Sequence, residues 1–328
     1  MGSLQRHASM FEIPDVSVVV VNYNTAHLLG RMFAALEATR GDLRIQVIVV
    51  DNASSDNSLE VLRTQYAYAE LIANPVNVGF ARANNQAVPH VRGRYALLLN
   101  TDAFVAPDTL AKTVSFMDAH AKCGVLGVKL VGEDGSLQPS CRYFPTPWNV
   151  FLASSGLHRF FPQTRLVDDM DWDHASVREC DWVPGCYYLV RRRVIQDIGL
   201  FDPRYFLYCE EVDHCHAVRN AGWNVTYYPF TEVVHIGGQS AAMIATLSPV
   251  SRQISSLQIE SELLYFRKHH GIMGVILAVL LAAAGDTMRV CSGLFRHRNV
   301  AHAAGAMRHS AITVERLLAT QLASRTTR

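Results

Sequence analysis

The chain has 328 residues, 49% of them hydrophobic, and a formal net charge of +1. That is enough apolar material for one large core, or for a core with a small appendage, and the near-zero charge gives no global basis for nucleic-acid binding. The seven cysteines are an odd number and include no CxxC pair. The opening MGSLQRHASMFEIPD has no apolar run of the secretory kind and lacks the hydroxyl residue at position six of a myristoylation signal. Both features point to free thiols in a reducing, cytoplasmic compartment.

The first hundred residues alternate strand and helix signals. Val16–Val21 is an unbroken β-branched run, as expected of a strand buried on both faces of a parallel sheet. Asn24 or Thr25 then caps a helix whose apolar stripe is Leu28, Leu29, Met32, Phe33 and Leu36. Val47–Val50 is a second strand ending at Asp51-Asn52, and Ser55 or Asp56 caps a helix with Leu59, Leu62 and Tyr66 inward. Leu71-Ile72 is a short third strand, NPVNVGF turns into a helix from about Ala81, and Tyr95–Leu99 is a fourth strand ending at Asn100-Thr101-Asp102. This succession predicts an α/β layered fold on a mostly parallel sheet flanked by helices.

After residue 120 the period changes. VLGVKLV, a GEDGS turn and LQPSCRYF predict a β-hairpin, and residues 145–180 read as a loop region lining a surface. Strand character returns at Trp182–Val190 and Val225–Tyr228, with a helix from about Glu210 between them and helix again from near Ser256. Residues 271–285, GIMGVILAVLLAAAG, are apolar on every face but fall short of the roughly 20 residues a spanning helix needs. Residues 286–328 carry seven Arg against Asp286 and Glu315, a net of +5. A short apolar helix beside a basic segment suits the surface of an anionic leaflet, so 271–328 is expected to make peripheral contact with the inner face of the membrane. A buried core helix or a subunit contact is the alternative.

In open α/β sheets, ligands bind beyond the carboxyl ends of the strands. Three strands here end on polar residues, at Asn22-Tyr23-Asn24, Asp51-Asn52 and Asn100-Thr101-Asp102. The Gly79 turn adds backbone N–H groups at a helix start, suited to phosphate. Asp102 is a fitting ligand for Mg²⁺ or Mn²⁺, which prefer oxygen donors and share their shell with substrate phosphates. Each feature also has an ordinary reading as a turn former or cap. Residues 207–216, LYCEEVDHCH, gather three carboxylates, two imidazoles and two thiols. Glu210, Glu211 and Asp213 suit the positive end of a helix dipole on helix physics alone. A zinc cage of Cys209, His214, Cys215 and His216 is disfavoured, because adjacent helical residues project about 100° apart.

The ordered series VVVVNYN, VDNASSDNS, NPVNVGFARANNQA, LLLNTDAFVAPD, VPGCYYLVRR, GLFDPRYFLYCEEVDHCHAVRNAGW and HIGGQS resembles glycosyltransferase family 2, specifically its bacterial rhamnosyltransferase-like branch. The resemblance spans roughly residues 14–270. It implies a GT-A fold over 14–255, with a nucleotide-sugar-binding half (14–120) and an acceptor-binding half (121–255), followed by a helical, basic region over 256–328. It further implies inverting, metal-dependent transfer of a sugar from a nucleotide diphosphate donor, with dTDP-L-rhamnose foremost, to a hydroxyl of a glycan or lipid-linked acceptor in cell-surface polysaccharide synthesis. Tyr23, Asp51 and Asn52 match positions that hold base and ribose, and Gly79, Arg82 and Asn85 fall in the third donor-side motif. Asn100-Thr101-Asp102 matches the metal-binding DXD motif, with Asn in place of the first Asp. His235 matches a late histidine that completes the metal shell of Mg²⁺ or Mn²⁺ in some members. Trp182 and Gly185 lie where the acceptor pocket has its floor. Glu211 takes the place of the general base, with Glu210 as its partner and Asp213 as the next candidate. Without the resemblance, a nucleotidyltransferase or a non-catalytic nucleotide-sugar-binding module stays open.

Overall fold

The computed structural model describes residues 13–237, 256–295 and 300–328. Most of the segment read for targeting signals and the Gly238-Gln239-Ser240 end of HIGGQS lie outside the described residues. Strands β1 (Val16–Asn22), β2 (Ile45–Asp51), β3 (Glu70–Ala73) and β4 (Tyr95–Leu99) alternate with helices α1 (Ala26–Ala38), α2 (Ser58–Gln65) and α3 (Phe80–Ala87). The four strands run parallel in the order β3-β2-β1-β4. Then come β5 (Ala103–Val105), α4 (Thr109–Ala119), β6 (Cys123–Val131), β7 (Leu137–Gln138), α5 (Pro147–Ser155), β8 (Arg178–Glu179), β9 (Tyr187–Arg191), α6 (Arg192–Ile198), α7 (Glu210–Asn220) and β10 (Asn224–His235). The same sheet continues β4-β9-β6-β10-β5, with β9 antiparallel to both neighbours and β10 parallel to β6. Two C-terminal helices follow, α8 (Ser256–Phe295) and α9 (Val300–Ala319).

Alternate residues of the parallel strands feed two cores, as a sheet covered on both faces requires. Val19, Ile48, Val50, Ala96 and Leu98 face α3, α6, α7 and the first half of α8, while Val18, Val20, Val49, Leu97 and Leu99 face α1 and α4. The predicted stripe of α1 is buried in full. Cutting Ile48 or Leu98 to alanine would cost about 2–5 kcal/mol. Ile259, Leu263, Leu264, Tyr265 and Phe266 belong to the first core, so the start of the C-terminal region is packed into the domain.

Three expectations need correction. The 145–180 stretch contains α5, whose start is a capping box: Thr146 Oγ1 accepts from Asn149 N and Asn149 Oδ1 accepts from Thr146 N, with Pro147 as the first helical residue. The strand expected from Trp182 begins only at Tyr187, and Trp182 makes an isolated bridge with Arg142. The strand expected at Val225–Tyr228 continues to His235 through an irregular register between Tyr228 and Glu232.

Candidate active site

A cleft of about 300 Å³ opens beyond the carboxyl ends of β1, β2 and β4. Val21, Tyr23, Asn52, Asn77 and Gly79 line it from the parallel strands and their loops, and Asn100, Thr101, Asp102 and His235 from the β4 and β10 ends. Phe80, Pro184, Gly185, Cys186, Phe206, Leu207, Tyr208, Glu210 and Glu211 complete the lining.

The strand-end loops are tied together by their own polar side chains. Asn22 Nδ2 donates to Asp51 Oδ1 at 2.8 Å and to Ser54 Oγ at 3.0 Å, and Asp51 Oδ2 accepts from Ser54 N at 3.1 Å. Asn52 Nδ2 donates to Asn77 Oδ1 (2.8 Å), while Asn52 Oδ1 accepts from Val78 N (3.0 Å) and Asn74 Nδ2 (3.1 Å). Thr25 Oγ1 lies 2.7 Å from Asn22 Oδ1 and 2.9 Å from Thr101 Oγ1, joining the β1 end to the β4 end instead of capping α1. Gly79 has φ 88°, and a Cβ there would stand 2.6 Å from Phe206 O, so only glycine fits.

Asp102 and His235 meet because β5, which the sequence reading did not foresee, pairs antiparallel with the end of β10 and sets His235 opposite Ala103. Asp102 Oδ1 and His235 Nε2 are 3.7 Å apart. Gln138 Nε2 donates to His235 O at 2.8 Å, which turns Gln138 Oε1 toward His235 Nδ1 at 3.0 Å. Since Oε1 only accepts, Nδ1 carries the proton and Nε2 presents a lone pair. Burial lowers the proton affinity of His235 against the opposing charge of Asp102. A carboxylate oxygen and an imidazole nitrogen thus face each other, a donor pair of the kind a divalent cation takes.

The helix start on the other wall has a different character. Glu210 and Glu211 begin α7 after Cys209, and one carboxylate oxygen of each is buried with no hydrogen-bond partner among the described residues. Burial raises the proton affinity of Glu210, and the Glu211 charge adds to it. Burial also raises Glu211, but the backbone amides of Glu211, Val212 and Gly185 and the charge of Arg142 act the other way. Both carboxyls are thus raised by burial, and as neighbours at one helix start they titrate as a pair.

The structure brings Tyr23, Asn52, Gly79, Asn100, Asp102, Gly185, His235, Glu210 and Glu211 to one cleft. Other predicted residues are engaged elsewhere. Asp51 is fully buried and holds the Asn22 and Ser54 loop. Arg82 donates to Pro203 O (2.9 Å) and Arg328 O (3.1 Å). Asn85 straps α3 to Phe201, donating to its carbonyl at 2.7 Å and accepting from its amide at 3.0 Å. Trp182 lies behind the lining, its indole N–H on Tyr143 O at 2.8 Å and its ring under the Arg142 guanidinium. Asp213 points from α7 toward α8 and not into the cleft lining, accepting from Lys268 Nζ and His269 Nε2, each at 2.7 Å. His214 turns into the core between Tyr188 OH (2.7 Å) and Gly199 O (3.1 Å), where burial pushes it down to about 4.

The reading missed Asn77 and the Phe206–Tyr208 wall. Asn77 was signalled by its place two residues before a glycine that must be left-handed; the wall carries no comparable mark.

The mixed sheet with helices on both faces is the GT-A fold. Over 95% of this chain and 88% of the other, it is similar to the mannosyltransferase PcManGT from Pyrobaculum calidifontis in complex with GDP-Man and Mn²⁺, with a TM-score of 0.53 and 16% identity. Residues 17–168 match the model of glycosyl transferase family 2. The chain is 27% identical over 235 residues to N-acetylglucosaminyl-diphospho-decaprenol L-rhamnosyltransferase of Mycobacterium tuberculosis, covering 66% of this chain and 75% of that one. It is also 27% identical over 228 residues to rhamnosyltransferase WbbL of Escherichia coli K12, covering 67% and 83%.

Proposed function

We propose that the protein is an inverting, divalent-cation-dependent glycosyltransferase that moves a sugar, foremost L-rhamnose from dTDP-L-rhamnose, to a hydroxyl of a glycan or lipid-linked acceptor. The observation that carries this reading is the division of one cleft between Asp102 with His235 and Glu211 with Glu210. Asp102 and His235 would hold Mg²⁺ or Mn²⁺, which neutralises charge on the departing nucleoside diphosphate. The N–H groups of Val78, Gly79 and Phe80 at the start of α3 are already donated to Asn52 Oδ1, Asn77 Oδ1 and Phe206 O, so the expected phosphate cradle at the Gly79 turn is closed by the protein's own acceptors. Tyr23 and Asn52, from the ends of β1 and β2, would seat the nucleoside. Glu211 takes the proton from the acceptor hydroxyl as that oxygen attacks the sugar carbon from the side away from the diphosphate. Gly185, packed against the Glu211 stem, leaves room for the acceptor beside the base.

The relatives' printed names support the donor and acceptor classes, one of them naming a lipid diphosphate acceptor. Residues 14–255 would then form the transferase domain and 256–328 its membrane-facing part. Gly271 (φ 66°) breaks α8. Beyond the break, Met273, Ile276, Leu277, Leu280 and Met288 form an exposed apolar stripe, and Met307, Val314 and Leu318 form another on α9. These stripes and the seven Arg of 286–328 suit peripheral contact with an anionic inner leaflet.

The test is a thermal-shift panel of dTDP-, UDP- and GDP-sugars with and without Mn²⁺, followed by transfer to a lipid diphosphate acceptor. The expected result is Mn²⁺-dependent stabilisation by one nucleotide class and transfer abolished by EDTA and by Asp102→Asn. Full activity in excess EDTA would remove the cation from the proposal. Pelleting with anionic liposomes, weakening as salt rises, tests the membrane face.

A further inference from the structure

Phe206, Leu207 and Tyr208 form a cleft wall that has no regular element of its own. Tyr208 (φ 72°) and Cys209 (φ 66°) are both left-handed, a conformation that residues with side chains keep only where their surroundings hold them. Glu210 and Glu211 follow at once, so slack in this wall would move both carboxylates. The wall is gripped at several points. Phe206 O accepts from Phe80 N at 2.7 Å, Leu207 O from Ser261 Oγ at 2.8 Å, and Pro203 O from Arg82 Nε at 2.9 Å.

The remaining grip comes from far along the chain. After α9, Gln321, Leu322 and Ala323 reverse the backbone through three successive left-handed residues. The returning segment is anchored on the buried carboxylate of Glu260, which accepts from Thr326 Oγ1 (3.2 Å), Thr327 N (2.8 Å) and Thr327 Oγ1 (2.7 Å). That anchor sets the Arg328 guanidinium 5.0 Å from the Phe206 ring centroid and offers Arg328 O to Arg82. We infer that residues 320–328 brace the cleft wall, and that Arg328 and Arg82 are positioning residues for transfer, acting through Phe206 and Pro203. The kinetic consequence rests on the transferase reading; the mechanical one does not.

A segment that merely packed here would add stability without touching the geometry of the carboxylates. Arg328→Ala separates the two, because it leaves the backbone carbonyl on Arg82 and removes only the cation from the Phe206 ring. In the full-length protein, kcat is expected to fall roughly 10-fold. Donor affinity and melting temperature should stay unchanged, and amide exchange over residues 206–211 should rise. Arg328→Lys keeps a cation over the ring and should recover part of the rate. Wild-type turnover and exchange in Arg328→Ala would overturn the brace, as would a rise in exchange spread over the whole chain with a matching fall in melting temperature. If the wild-type protein transfers no sugar from any donor, the transferase reading fails, and the exchange comparison still decides the brace.

Discussion

At the ends of β1 and β2, polar side chains answer one another: Asn22 with Asp51 and Ser54, Asn52 with Asn77, Asn74 and the Val78 amide. Across the cleft, Glu210 and Glu211 each keep a buried oxygen without a partner among the described residues. A satisfied network is rigid and holds a shape before any ligand arrives. An unsatisfied buried carboxylate costs stability and is retained where its proton affinity has a use. On the transferase reading proposed above, the contrast would separate a wall that binds from a wall that reacts.

The largest expected effect comes from the reacting wall. Glu211→Gln should lower kcat by about 10²–10⁴-fold, the usual contribution of a positioned general base, with donor affinity unchanged. Turnover near the wild-type rate would show that both walls only bind. Asp213 is the control on the same helix: its carboxylate is fully partnered by Lys268 and His269. Asp213→Asn should destabilise the protein by about 3 kcal/mol, as breaking a buried ion pair does, while the folded enzyme keeps most of its turnover. Loss of turnover with no loss of stability would return Asp213 to the candidate bases.

On the binding wall, Asn52→Ala leaves the Val78 amide and the Asn77 and Asn74 side chains short of a partner. It should cost about 1–2 kcal/mol of stability and weaken donor binding, with kcat at saturating donor little altered. Denaturant melts and donor titration measure the two effects. A kcat loss as deep as that of Glu211→Gln would erase the distinction between the walls.

These walls were unequally legible in the sequence. The binding wall follows from local rules: β-branched runs give buried strands, and polar residues after them fall at the ligand edge of the sheet. Which of those residues face the cleft was not legible. Asp51, Arg82 and Asn85 sit at motif positions, yet their side chains turn to Ser54, Pro203 and Phe201. A loop side chain takes its direction from distant partners that a local pattern does not contain. The meeting of Asp102 with His235 depends on the three-residue β5 and its antiparallel register with β10, too short a strand to leave a periodic signal. The brace at Arg328 depends on a reversal after α9 and a contact 246 residues away along the chain.

The smallest effect concerns Glu210, and its sign is the informative part. In the folded protein, burial and the neighbouring Glu211 charge hold its carboxyl above the ordinary carboxylate range. A group raised in this way contributes stability that is fully present below its unfolded value, near pH 4.5. That stability is lost as the pH rises through the folded value. Glu210→Gln removes the titration but keeps the shape. Relative to wild type, the variant should therefore gain little at pH 4 and more as the pH rises, by a few degrees of melting temperature. Because a protonated Glu210 is as neutral as the amide that replaces it, the charge beside Glu211 is unaltered, and the acidic limb of the pH–rate profile and kcat on the plateau should change little. Melting curves from pH 4 to 8 and the pH–rate profile provide the two measurements. If the melting difference is flat with pH, Glu210 is not held protonated, and the opposition between a satisfied wall and a frustrated one rests on Glu211 alone.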